Sequence, residues 1–305
     1  MRTTYSVGAA VLALAVSLTA CSSSTESAAS KSSGSSTTSG TLTIGSADFP
    51  ESELLADIYG DALSAKGVQV TKKLNIGERS VYIAALKDGS IDFIPEYSGS
   101  ILDYLDPKAT AKTPADVAAA LPAALGSKLT ALSYASAQDS DTVTVTQTTA
   151  TRYNLKSIAD LAAVASKLTF GAPAAFQTRP DGIPALKSVY GVSFKSFTAL
   201  KAGGTVTVTA LKNGSIDAGD IFSTDPALAA NNFVALADPK SMFAAQNIVP
   251  IVATANLSPT ITSTANAVSA KLDTTTLAEL VTKVQTGGQK ADDVAKAWLA
   301  TVGLG

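Results

Sequence analysis

Short apolar runs closed by glycine recur along this chain, and each is followed by a stretch of helical period. Leu42-Thr-Ile-Gly45 alternates large apolar and polar positions over four residues, which predicts a strand. The polar segment SADFPES then leads into a helix predicted over 53–66, and a second short strand is predicted over 68–74. After the loop at Ile76-Gly77 comes an amphipathic helix, with Val81, Ala84, Ala85 and Leu86 expected on its apolar face. It ends in the phrase ALKDGSIDF at 85–93, where Gly89 falls at the position that needs a positive φ. Ile91–Ile94 predicts the next strand.

The same order returns later. Leu168-Thr-Phe-Gly171 is a strand closed by glycine, APAAFQTRPDG leads into a helix over 183–190, and a strand is predicted over 193–197. A loop at Gly203-Gly204 precedes a helix ending in ALKNGSIDA, which starts at Ala210, 125 residues after its first appearance, and 216–221 predicts a strand. A single helix–turn–strand phrase arises easily by chance; the whole order of strands and glycine loops arising twice predicts two lobes of similar plan. Strand–helix alternation predicts parallel α/β layers with right-handed crossovers. The offset of 125 carries Tyr97 of PEYSGS onto Phe222 of DIFSTD. Both fall just past the carboxyl end of a strand, the edge at which open α/β sheets bind ligands. Taken singly, an aromatic is more often core filler; their matched placement predicts opposite walls of one cleft.

The amino terminus follows a different pattern. Met1-Arg2 is a small basic start, and Val7–Leu18 is an apolar run short for a bilayer span but suited to a signal peptide. It closes on Leu18-Thr-Ala-Cys21, a lipobox-like end that contains the chain's one cysteine. The expectation is a signal peptide over 1–20 and a lipid attached at Cys21, anchoring the protein to the outer face of the cell membrane. Residues 21–40 hold no large apolar side chain and are expected to be a disordered tether. The folded part is expected to begin near Thr41.

Composition then removes function classes. The 305 residues suffice for two domains, with 46% hydrophobic residues but only 6% aromatic ones. A net charge of −2 offers no basic face for nucleic acid. Without histidine, and with a single cysteine, the chain has no Ser–His or Cys–His catalysis, no intrachain disulfide and no cysteine or histidine metal site. No phosphate-binding GxxxxGK[ST] loop occurs, so no cofactor and no metal are expected. A carboxylate enzyme remains open, with Glu96 beside Tyr97 as its general acid.

The lipobox-like end, IGSADFPES, ALKDGSIDFIPEYSGSIL, FQTRPDG, ALKNGSIDAGDIFSTDPAL and the closing DDVAKAWLATVGL resemble the substrate-binding lipoproteins of osmoprotectant ABC importers, the glycine betaine/choline/carnitine group. The resemblance covers 41–304. It implies a two-lobed α/β periplasmic-binding-protein fold, type II-like, with two crossover segments forming a hinge, expected at 142–147 and 246–252. Lobe 1 is expected over 41–143 and 248–305, and lobe 2 over 144–247. The family's site is an aromatic cage for a quaternary ammonium, held by cation–π attraction. Carried over by position, Tyr97 matches a cage tyrosine, Ser100 a threonine that helps bind the solute's carboxylate, and Phe222 a position often aromatic. Asp141 and Gln246 stand where many members carry tyrosines, and Ala47 and Ser52 where lysine and glutamine are usual. The pocket is therefore expected to be more polar than the family's.

Arg179 in QTRPDG presents a planar fork suited to a carboxylate, though a salt bridge between lobes is as good a role. Asp48, Asp139 and Asp141 suit hydroxyls or a cationic group, against the ordinary role of turn capping. Thr224 and Phe176 complete the candidate ligand contacts. Glu51 and Glu53 are candidate permease-facing charges, or a solvated helix start. The expected partners are a small zwitterion, quaternary amine or polyol-like solute and an ABC permease with its ATPase subunits; a monomer is expected. The alternative is a surface sensor or scavenging module for a polar solute.

Overall fold

A computed structural model describes residues 40–201 and 204–305. The expected signal peptide, Cys21 and nearly all of the tether lie outside the described residues. In chain order the first part holds β1 (Leu42–Gly45), α1 (Pro50–Ala65), β2 (Val70–Lys73), α2 (Arg79–Asp88), β3 (Phe93–Tyr97), α3 (Ser98–Leu105), α4 (Pro114–Leu125) and β4 (Leu129–Ala131). The middle holds β5 (Asp141–Thr146), α5 (Gln147–Tyr153), β6 (Thr169–Ala172), α6 (Ile183–Tyr190), β7 (Ser196–Ala199), α7 (Gly204–Lys212), β8 (Ala218–Phe222), α8 (Ala227–Ala230) and β9 (Phe233–Ala235). The end adds β10 (Ile248–Ala253), α9 (Pro259–Ser269), α10 (Thr274–Gln285) and α11 (Ala291–Thr301).

The strands form two sheets of five, ordered β2-β1-β3-β10-β4 and β7-β6-β8-β5-β9. In each, three strands are parallel and the fourth runs antiparallel between its neighbours. The sheets share one plan, with one exchange: each antiparallel strand comes from beyond its own repeat. The segments expected to cross between lobes, 142–147 and 246–252, are for the most part strands instead. Thr142–Thr146 pairs in the second sheet and Ile248–Val252 in the first. Their β-branched residues bury Val143, Val145, Ile248 and Ile251 completely, which a bare connection would not do. The chain crosses before β5 and again before β10. These two passages lie side by side: Gln138 bridges to Asn247, and the Asp139 amide donates to the Gln246 carbonyl at 3.2 Å.

The repeated phrase does the same work in both lobes. Gly89 and Gly214 take φ of 81° and 75°, ending α2 and α7. The Asp92 carboxylate accepts from the Thr43 amide at 2.8 Å, and Asp217 accepts from the Thr169 amide at 2.8 Å. Ile91 packs so closely on Gly45 that a Cβ there would lie 2.6 Å from its Cδ1; for Ile216 and Gly171 the distance is 2.7 Å. The phrase therefore fastens a helix end onto the strand that opens each lobe. One expected face is corrected. On α2 the buried residues are Tyr82, Ile83 and Leu86, whereas Val81 is 51% exposed and Ala84 is exposed. The larger side chains take the core side, and the Tyr82 hydroxyl finds a buried acceptor there. Val206, at the equivalent place on α7, is likewise 48% exposed.

Each lobe buries apolar side chains on both faces of its sheet. Helix α1 is enclosed almost all round, against the sheet on one side and α9, α10 and α11 on the other. The alanine-rich α4 needs only one stripe, Val117, Leu121 and Leu125 at a spacing of four.

Candidate functional site

The carboxyl ends of β3 and β8 open onto a cavity of about 440 Å³ lined by both lobes, a size ordinary for a small-molecule site. Tyr97, the last residue of β3, and Phe222, the last of β8, both line it. Phe49, just ahead of α1, stands between them, its ring centre 6.0 Å from that of Tyr97 and 5.2 Å from that of Phe222. The matched aromatics thus meet at one cavity, through a third ring.

The PEYSGS turn is built by its neighbours. A Cβ at Gly99 would lie 2.7 Å from the Ala245 carbonyl oxygen, so glycine is needed for that close approach. The first amides of α3 are all engaged: Ser98 donates to the Asn247 carbonyl, Gly99 to the Ala245 carbonyl, and Ser100 to Gln246 Oε1. Gln246 Nε2 donates in turn to Ser100 Oγ at 3.0 Å. The Tyr97 hydroxyl donates to Glu51 Oε1 at 2.8 Å, leaving its ring to face the cavity.

Across the cavity, the β5–β8 ladder sets Asp141 opposite Phe222. Arg179 donates to Asp141 Oδ2 at 2.6 Å, and its Nε lies 3.1 Å from Asp181 Oδ1. The guanidinium covers the Phe176 ring at 4.4 Å. Both Asp220 oxygens are buried without a hydrogen-bond partner among the described residues. Burial, then the charge of Asp141, holds its carboxyl well above the usual carboxylate range. On the facing wall Arg79 grips Glu96 through two nitrogens, at 2.8 and 3.1 Å, while Tyr82 and the Tyr97 amide also donate to Glu96.

A hydrogen-bonded link joins the lobes behind the rings. Glu51 Oε2 accepts from Thr224 Oγ1 at 2.5 Å. Asp139 accepts from the Thr224 amide at 2.9 Å and from Ser223 Oγ at 3.0 Å. Burial pushes the Glu51 carboxyl up, and burial together with the Glu51 charge pushes Asp139 well up.

Of the residues expected from sequence, Tyr97, Ser100, Phe222, Asp141, Arg179 and Asp48 line the cavity. Gln246, Thr224 and Phe176 stand one layer back: Gln246 caps α3, Thr224 ties to Glu51, and Phe176 packs in the second lobe's core under Arg179. Glu51, a candidate for a permease-facing charge or a solvated helix start, is buried instead, because Tyr97 and Thr224 enclose it. Phe49, Arg79, Tyr82, Asp103 and Asp181 line the cavity without having been expected there. Asp103 was within reach of sequence reasoning, since it lies three residues after Ser100 on one helix and so shares its face. Arg79 carried no such signal; its place depends on Glu96, brought up by another strand.

A family model described as the substrate binding domain of ABC-type glycine betaine transport system matches residues 40–301. The chain is similar to the glycine betaine-binding protein YehZ of Escherichia coli (strain K12), 29% identical over 274 residues, which is 85% of this chain and 90% of that protein. It is also similar to the carnitine transport binding protein OpuCC of Listeria monocytogenes, 28% identical over 67% of each chain. Among solved structures, a glycine betaine/carnitine/choline ABC transporter structure matches with a TM-score of 0.67 at 21% identity, covering 86% of this chain and 99% of that one. Apo YehZ from Escherichia coli matches with a TM-score of 0.60 at 26% identity, covering 87% and 99%.

Proposed function

The chain belongs to the family of substrate-binding domains of ABC-type glycine betaine transport systems, and from that premise we propose that it is an extracytoplasmic solute receptor. It takes a small osmoprotectant-like solute between its lobes and delivers it to the permease of an ABC importer. The observation that carries the reading is that Tyr97 of the first lobe and Phe222 of the second line one cavity with Phe49 between them. Three ring faces suit an alkylated ammonium, which offers no hydrogen-bond donor. Tyr97, Ser100, Phe222, Asp141, Arg179 and Asp48 are proposed as solute contacts, with Gln246, Thr224 and Phe176 supporting them.

The two adjacent passages, 132–140 and 236–247, are proposed as the hinge and the lobe boundaries. A solute touched by both walls favours the closed arrangement, and occupancy shifts that population. A monomer anchored to the membrane through a lipid on Cys21 fits the sole cysteine and the signal-like segment before it. A receptor role, as opposed to catalysis, is supported by Glu96: a general acid must be free to reach its substrate, and Glu96 is held by Arg79, Tyr82 and the Tyr97 amide.

Titration calorimetry of the mature chain against glycine betaine, choline and carnitine tests the reading. The expected result is saturable one-to-one binding of at least one of them, with the solute recovered unchanged. A solute at a hundred times its Kd should add about 2.7 kcal/mol of stability. Failure to bind any of the three, or conversion of a bound solute, overturns it.

A further inference from the structure

The cavity is unevenly charged. Its lining includes the acidic residues Asp48, Glu78, Asp103, Asp139, Asp141 and Asp181, against two cations, Arg79 and Arg179. Neither cation is spare: Arg79 is bound at two points to Glu96, and Arg179 to Asp141 with Asp181 beside it. The start of α3, which would otherwise attract an anion, has its first three amides engaged by residues 245–247. At this helix start the Ser100 hydroxyl keeps its donor, after accepting from Gln246. A solute carboxylate entering this space meets more acidic side chains than cations, and each guanidinium already has a carboxylate partner.

Asp103 is the opposite case. It is 7% exposed, lines the cavity from α3, and its carboxylate has no hydrogen-bond or salt-bridge partner among the described residues. A charged group so placed costs free energy unless something compensates it. Nearby charges are Asp181, Lys112, Arg179 and Arg79, of which Asp181 acts most strongly and with like sign. Lys112 does not line the cavity, and its amine donates to the Met242 carbonyl.

We propose that this site selects a small organic cation over a zwitterion, with the Asp103 carboxylate as counter-ion of an alkylated ammonium whose alkyl groups rest on the Tyr97, Phe49 and Phe222 rings. The inference rests on the receptor reading and narrows it: the solute carries no carboxylate of its own. Its non-ammonium end is a hydroxyl or similar neutral group within reach of Ser100.

Choline and glycine betaine form the decisive pair, because they share the trimethylammonium head and differ in hydroxyl against carboxylate. In calorimetry at pH 7.5 the wild-type chain is expected to bind choline at least tenfold more tightly than glycine betaine. Asp103→Asn should weaken choline at least tenfold while leaving glycine betaine unchanged or tighter, with folding checked by its thermal transition. Asp103→Glu, which keeps the charge, should retain the preference. Burial, reinforced by Asp181, pushes the Asp103 carboxyl up to about 6. Choline affinity in the wild type should therefore fall about tenfold between pH 7.5 and 5, as the binding-competent ionised fraction shrinks. The Asp103→Asn variant removes this step and leaves only contributions from Glu51, Asp139 and the remaining carboxylates. Tighter binding of glycine betaine than of choline, or equal choline affinity in folded Asp103→Asn, overturns the inference and leaves the receptor reading standing. Binding of neither solute, nor of carnitine, overturns both.

Discussion

At the scale of single residues, the site separates side chains that line the cavity from side chains that hold them. Tyr97 does both, through different atoms. Tyr97→Ala removes a wall of the cavity and is expected to weaken solute binding at least tenfold, about 1.4 kcal/mol. Tyr97→Phe keeps the ring but leaves Glu51 Oε1 without its buried donor. It should hold affinity within a few-fold while costing about 1–3 kcal/mol of stability, read by calorimetry and by denaturant unfolding of the same samples. Asp103 predicts the reverse exchange. Its folded carboxyl is raised from 3.8 to about 6, first by burial and then by Asp181. A raised carboxyl favours the fold below the unfolded value and loses that stabilisation as pH rises through about 6. At neutral pH the ionised Asp103 therefore destabilises the fold. Asp103→Asn should melt several degrees higher at pH 7.5 and no higher at pH 4; equal shifts at both would refute the account. The cost at Asp103 is that of a charge waiting for its partner. Tyr97 and Phe222 were legible because a repeat marked them. Phe49 and Arg79 were not, because nothing local distinguishes an aromatic before proline, or an arginine opening a helix, from its many solvated counterparts.

At the scale of elements, the phrase ALKxGSID is a joint. The glycine ends a helix, the isoleucine packs on a strand glycine, and the aspartate holds a strand amide. Because the bond is the same in both lobes, Asp92→Ala and Asp217→Ala should each destabilise by about 1–2 kcal/mol in urea unfolding, and by similar amounts. A large cost in one lobe only would show that the phrase has lost its role in the other. Most helices and strands were legible to within a few residues, α6 at both ends, since glycine stops and apolar periods are local signals. The expected face of α2 was misread because alanine and valine count as apolar in a pattern, whereas burial follows the larger Tyr82 and Ile83.

At the scale of the whole molecule, two lobes meet through the Glu51–Thr224 hydrogen bond, the Asp139 cluster and the Phe49–Phe222 contact. Thr224→Val deletes its hydroxyl and should leave the solute-free protein more open, seen as a larger radius of gyration by solution scattering. Solute affinity should drop several-fold, because binding must then supply more of the closure free energy. An unchanged radius and affinity would show that the rings alone hold the lobes together.

The sequence by itself determined the alternation of strands and helices, the repeat of 125 residues and the two aromatic strand ends, because each is written in near neighbours or in a copied phrase. It also excluded histidine and cysteine chemistry by composition. Only the tertiary structure decided which strands belong to which sheet, since the exchanged β5 and β10 look locally like connections and gain their partners from far along the chain. It alone decided that both cavity arginines are already neutralised and that Asp103 is not. The state of a charge depends on what the fold brings within a few ångströms of it, and spacing along a chain carries no record of that.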